Sequence, residues 1–199
     1  MKLVLASNNA HKLEEIGKIM SDLGMEVVPQ KDIGGFIEPD ETGETFEENS
    51  YIKAKAVMDA CGLPTIADDS GLMVDALGGA PGVYSARYGG EQNHTDRDRL
   101  EYLLSQMEAV PEGKRDARFV TVITMLMPDG QKIVARGECP GRILFVPQGE
   151  NGFGYDPIFY CPEAGCSFAQ LSPQEKNRIS HRARALKVFV EKIKEVKEL

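Results

Sequence analysis

Apolar positions along this chain switch between two periods, and the switches mark out its elements. Leu3-Val4-Leu5-Ala6-Ser7 is a continuous apolar run of the kind shown by a strand buried on both faces. Leu13, Ile16, Gly17, Met20 and Leu23 then recur at helical spacing, so the chain opens as strand, loop, helix. Glu26-Val27-Val28-Pro29 predicts a short second strand. Thr45-Phe46-Glu47-Glu48 fits a capping box, starting a helix that runs to about Cys61 and stops at Gly62-Leu63-Pro64. A strand over Thr65 to Ala67 follows. It ends in Asp68-Asp69-Ser70-Gly71, whose short polar side chains and glycine predict a turn at the strand's far end. Beyond the glycine-rich loop Gly78-Gly79-Ala80-Pro81-Gly82, Leu100, Leu103, Leu104 and Met107 predict a helix from about Thr95 to Met107. The second half reads as antiparallel. Arg118 to Met127 is rich in β-branched residues, Asp129-Gly130 is a hairpin turn, and Gln131 to Glu138 returns. Gly141 to Val146 and Asp156 to Tyr160 predict two more strands. Ser172-Pro173-Gln174-Glu175 begins a helical region whose stripe is Ile179, Ala183, Leu186, Val190 and Ile193, with a second start at Ser180.

With 199 residues, 42% apolar and 27% charged, the pattern predicts one catalytic-sized domain over residues 1–199. No apolar run approaches the roughly 18 residues of a membrane span, and the N-terminus lacks a signal-peptide layout, so a cytoplasmic protein with no membrane partner is expected. Cys61, Cys139, Cys161 and Cys166 form no C-x-x-C pair, which predicts reduced thiols and an oxygen-bound metal, if any. A net charge of −8 without a basic run argues against nucleic acid as a partner.

Four segments carry chemistry. Ser7-Asn8-Asn9-Ala10-His11-Lys12 lies between the first strand and the first helix, where free N–H groups and the helix dipole favour a phosphate, although no Walker pattern is present. Acids crowd the helix start at Glu41 to Glu48, and Asn49 and Lys53 sit one turn apart near its inward face, where polar groups need a partner. Gly152-Phe153-Gly154-Tyr155-Asp156-Pro157 is composed to stack a planar ring while an acid fixes its edge. Lys176, His181 and Arg182 lie near helix starts, where cations are disfavoured unless something negative or carbonyl-bearing offsets them. Together with Asp68 and Asp69 these describe a nucleoside triphosphate site.

The same residues resemble the non-canonical purine nucleoside triphosphate pyrophosphatases, the inosine triphosphatase or HAM1-like family. The similarity runs nearly end to end. It rests on the segments above, on Glu41-Thr42-Gly43 with Phe46, Glu48-Asn49 and Lys53-Ala54, on Ala67-Asp68-Asp69-Ser70-Gly71-Leu72, on Leu77 to Tyr88, and on Glu175-Lys176-Asn177 with Ile179-Ser180-His181-Arg182. The resemblance implies a mixed α/β fold of two lobes around a long twisted sheet with a central cleft, and a homodimer. It implies Mg²⁺-dependent hydrolysis of ITP, dITP and XTP to monophosphate and pyrophosphate. Asp69 and Glu41 would serve the metal, with Asp69 also the proton acceptor. Ser7, Asn8, Asn9, Ala10, His11, Lys12 and Lys53 would bind phosphates, and Ser70 would touch substrate. Phe153, Gly154, Tyr155, Asp156, Lys176, His181 and Arg182 would hold base and sugar, and Asp68 would support Asp69. Two rival readings are a Maf-type nucleotide pyrophosphatase, whose phosphate loop typically has Ser and Arg where this chain has Asn8, Asn9 and Lys12, and a nucleotide-binding module that does not hydrolyse.

Overall fold

Leu3, Val4 and Leu5 are fully buried, and they form the centre of a parallel ladder in the computed structural model, which describes residues 2–7, 10–33, 37–90 and 92–197. Strand β1 (Lys2–Leu5) pairs in parallel with β2 (Glu26–Pro29), Lys2 opposite Glu26 and Leu5 opposite Pro29. On its other side β1 pairs in parallel with β3 (Thr65–Val74), Val4 opposite Thr65 and Leu5 opposite Ile66. Helix α1 (Ala10–Asp22) links β1 to β2, and α2 (Phe46–Cys61) links β2 back to β3. The two links step in opposite directions along the sheet, so right-handed crossovers place the two helices on opposite faces. That covering explains the unbroken apolar run.

Helix α2 is set by local chemistry. Thr45 accepts from the Glu48 N–H while Glu48 accepts from the Thr45 N–H, and the Gly62 N–H closes the far end on the Met58 carbonyl at 2.8 Å. Its inner face buries Phe46, Ala54 and Val57, with Ala54 packed on Ala67 and Leu126. These elements as far as Asp69, with residues 122–136 and 186–197, make up one compact unit.

The second unit comprises residues 70–121 and 137–185. It contains α3 (Asp96–Gln106), most of β4 (Asp116–Leu126) and β5 (Lys132–Ile143), β6 (Phe159–Cys161), β7 (Cys166–Ser167), α4 (Pro173–Ile179) and the start of α5 (His181–Lys197). Among the described residues the strand order is β2-β1-β3-β4-β5-β6-β7, seven strands of mixed direction, so the mixed α/β class read from the sequence holds. The core here is Leu72, Val74, Leu103, Met107, Ile158 and the aromatic group Phe119, Phe159 and Phe168.

One buried cation ties this unit together. Arg115 is 2% exposed, and its guanidinium donates to the carbonyls of Met107, Val110, Ile143 and Leu144 at 2.8–3.1 Å, with the Phe145 ring 4.1 Å from its centre. No other side chain presents five donors in that planar fork. Arg115→Met should therefore leave four carbonyls short of a donor and cost about 3 kcal/mol. A urea unfolding midpoint that does not move would contradict this role.

Three predicted boundaries move. The expected turn at Asp68-Asp69-Ser70-Gly71 lies inside β3, which runs ten residues from Thr65 to Val74. Long-range partners override turn preference there: Asp68 and Asp69 are held by lysines from two helices, and the Ser70 hydroxyl meets that of Thr121 at 2.8 Å. The break expected between Glu138 and Gly141 is absent, because β5 passes through with Pro140 on its exposed side, while 144–146 are not strand. Asp156–Ile158 is a single 3-10 turn, so the strand predicted from Asp156 begins at Phe159. Both helix starts at Ser172 and Ser180 hold, Ser180 accepting from the Ala183 N–H at 3.2 Å. No described helix is long and apolar enough to cross a membrane, and all four cysteines are free thiols.

Candidate functional site

Alternation along β3 decides which acid meets which helix. Successive strand side chains point to opposite faces. Asp68 accordingly accepts from Lys12 of α1 at 2.8 Å, and Asp69 accepts through Oδ1 from Lys53 of α2 at 2.8 Å. Both acids are buried, at 4% and 7% exposure, and both stand beyond the point where β1 stops pairing with β3. In parallel sheets that carboxyl end is where ligands gather. The Ala6 N–H, bonded to the Ile66 carbonyl at 2.9 Å, anchors the start of the Ser7 to Lys12 segment on the same strand. Asp68 thus fixes the ammonium at the end of that segment. Ser7 is half-buried; Asn8 and Asn9 lie outside the described residues, and Ala10 and His11 are described only as backbone in the first turn of α1.

Lys53 also reaches Glu41, its Nζ 2.8 Å from Oε1, so one ammonium holds both predicted metal carboxylates. The pair is unequal in its energetics. Burial works against the Lys53 ammonium, but Asp69 and Glu41 outweigh it and its pKa is raised. Burial also disfavours the Asp69 carboxylate, and here it wins over Lys53, so the Asp69 pKa lies above the ordinary aspartate value. Its Oδ2 is buried with no hydrogen-bond partner among the described residues.

Those features suit a hard divalent cation. The donors are carboxylate oxygens, one of them with unused lone pairs, and the described residues contain no group of three or more His, Cys, Asp or Glu that would form a full cage. Mg²⁺ is the ion that takes one or two carboxylates and completes its shell with phosphate oxygens and water.

The second unit gathers the remaining predicted residues. Asp156 is 1% exposed; its Oδ2 accepts from the Phe153 N–H at 2.9 Å and from the Lys176 ammonium. Gly152 makes that possible, since at φ +77° a Cβ there would lie 2.1 Å from Asp156 Oδ2. Lys176 stands 4.6 Å from the centre of the Phe153 ring, which is 64% exposed and so presents an aromatic surface backed by charge. Tyr155 is buried, and its hydroxyl donates to the Ser85 carbonyl at 2.9 Å, so it anchors the bend from beneath; burial pushes its pKa up. His181 stacks on Phe119 at 4.8 Å and, with Arg182, occupies the first turn of α5. Positive charge is disfavoured there unless an anion or carbonyl offsets it.

Sequence reasoning missed Asp96, whose Oδ2 accepts from the Gly154 N–H at 2.8 Å and so fixes the aromatic bend to α3. It also missed Ser85 and Thr121, the partners of Tyr155 and Ser70. Asp96 follows the helix-capping Thr95, where an acid is expected for the dipole alone, so no local signal distinguished it.

The Ham1 family model matches residues 3–192. The chain is 51% identical over 195 residues to a dITP/XTP pyrophosphatase of Mannheimia succiniciproducens, covering 96% of this chain and 98% of that protein. It is 49% identical over 194 residues to the dITP/XTP pyrophosphatase of Haemophilus influenzae, with 96% and 98% coverage. The Ham1 protein of Staphylococcus aureus superposes with a TM-score of 0.92 at 41% identity, over 98% of this chain and all of that one. A HAM1 protein from Coxiella burnetii gives 0.92 at 42% identity, over 98% and 99%.

Proposed function

The chain belongs to the Ham1 family, and from that premise we propose that it hydrolyses dITP, XTP and ITP at the α-β phosphoanhydride bond, releasing nucleoside monophosphate and pyrophosphate. Such a reaction removes deaminated purines from the nucleotide pool. The observation that carries it is Asp69: a buried carboxylate with a raised pKa, one oxygen on Lys53 and the other without a partner among the described residues.

Hydrolysis needs charge neutralisation along the phosphates, an oriented water and a base for its proton. Ser7 to Lys12 and Lys53 supply N–H groups and ammonium charge for phosphate oxygens. Asp69 and Glu41 are the residues that would hold Mg²⁺, whose chemistry when bound is to neutralise phosphate charge. As water's oxygen bonds to phosphorus and the bridging P–O bond breaks, the water's proton passes to the Asp69 carboxylate. Its raised pKa makes it a stronger base than an exposed aspartate.

Within the second unit, the resemblance supports base and sugar binding by a bend in which Phe153 offers a stacking face, Gly154 and Asp156 set the shape and Tyr155 gives support, with donors from Lys176, His181 and Arg182 and a substrate contact from Ser70. A donor facing purine O6 bonds the keto group of hypoxanthine or xanthine but meets the adenine amino group donor to donor. ATP is therefore a poor substrate on this reading. The resemblance also supports a homodimer working in the cytoplasm, for which sedimentation of the purified protein is the check on assembly.

The deciding assay is pyrophosphate release from dITP, XTP, ITP, dTTP, GTP and ATP, with and without Mg²⁺. The expected result is Mg²⁺-dependent turnover of the first three well above the others. Equal turnover of all six, or none, would overturn the proposal.

A further inference from the structure

Asn49, in the first turns of α2, is fully buried, yet only one end of its side chain is used. Its Oδ1 accepts from the Gly43 N–H at 2.8 Å. A backbone amide can only donate, so this bond fixes which end of the Asn49 amide is oxygen. The nitrogen end, with two protons, is buried and has no hydrogen-bond partner among the described residues. An unanswered buried donor carries a desolvation penalty that an apolar residue would avoid. The site is nonetheless closely fitted around it: a Cβ on Gly43 would stand 2.7 Å from Asn49 Oδ1 and 2.6 Å from Glu48 Cβ, so the loop rests directly on the amide.

The neighbours say what the spare donor is for. Lys53 lies one helical turn further along α2, on the same side, and its ammonium carries Glu41 and Asp69. Glu41 is two residues before the Gly43 that Asn49 clamps. The Asp69 Oδ2 is also buried with no partner among the described residues, so the two unused groups, a donor and an acceptor, are not satisfied by each other. Both keep hydrogen-bonding capacity for a ligand.

We infer that Asn49 is a further substrate-binding residue: its Nδ2 donates to an oxygen of the triphosphate chain, while its Oδ1 holds the Glu41 to Gly43 segment on α2. This rests on the reading of Glu41, Lys53 and Asp69 as the phosphate and metal end of a nucleotide site. The two ends of the amide have separable roles. Asn49→Asp keeps an acceptor for the Gly43 N–H but replaces the donor by a charged oxygen that repels phosphate. Asn49→Ala loses both.

The test is calorimetric binding of α,β-methylene-dITP, with and without Mg²⁺, to wild type and both variants, beside their melting temperatures. Asn49→Asp should bind about 10- to 100-fold more weakly, the worth of a hydrogen bond to a charged group, while Asn49→Ala should lose affinity and also melt lower. In wild-type protein labelled with ¹⁵N-asparagine, the Asn49 side-chain NH₂ signals, identified by their loss in Asn49→Ala, should move when the analogue is added. That readout stands even where the aspartate variant fails to fold. Affinity of Asn49→Asp within twofold of wild type, or NH₂ signals that stay still at saturation, would overturn the inference alone. Wild type that does not bind the analogue would overturn the nucleotide reading and the inference with it.

Discussion

Asp69→Asn lowers dITP and XTP turnover by about two to four orders of magnitude, the range associated with loss of a general base. The substitution keeps the side chain's shape, but an amide cannot take the water's proton. It also removes the negative charge that makes the buried oxygen useful to a cation. The wild-type pH dependence follows from the same group. Burial raises the Asp69 pKa, and the reaction needs the charged form, so activity falls as pH drops through that raised value. The acid limb of the kcat/KM profile should therefore vanish in the asparagine variant. For stability the sign is opposite. A carboxyl whose folded pKa lies above its unfolded value favours the fold below the unfolded pKa, and that contribution is lost as pH rises through the folded one. The chain thus gives up stability at neutral pH to keep a charged carboxylate in the interior. Turnover within tenfold of wild type, measured by pyrophosphate release, would remove Asp69 from the role.

What could be read from sequence depended on how far apart the deciding residues are. Thr45 and Glu48, and Ser172 and Glu175, lie three positions apart, and the helix starts they encode are where the pattern put them. The Met127 to Gln131 turn is equally local. The acid pair is the opposite case. Asp68 and Asp69 read as a turn because the lysines that hold them extended are 56 and 16 residues away, on two different helices. Once they are placed in a strand, alternation alone separates their partners, which no turn would have done. Asp96 shows a different limit: its bond to Gly154 spans 58 residues and is disguised by a role the helix start already explains. Resemblance named the candidate residues, but only the fold distinguishes Tyr155, buried beneath the bend, from Phe153, exposed upon it.

Lys53→Met should have the second largest effect, about a hundredfold loss of kcat/KM for dITP, from removal of a charge-assisted contact to phosphate and of the cation between two acids. Glu41 and Asp69 would then face each other's charge without the ammonium now 2.8 Å from each. Lys53 is the main influence holding the Asp69 pKa down against burial, so its removal must raise that pKa further. In metal-free protein, ¹³C-carboxyl titration of Asp69 should accordingly shift to higher pH in the methionine variant. This separates an electrostatic role from a merely structural one, because lost packing alone would not move the titration in that direction. Arginine is not expected to restore full activity, since its planar fork cannot reproduce a compact ammonium shared by two carboxylates. An unchanged Asp69 titration together with kcat/KM within threefold of wild type would show that Lys53 neither tunes the base nor meets the phosphates.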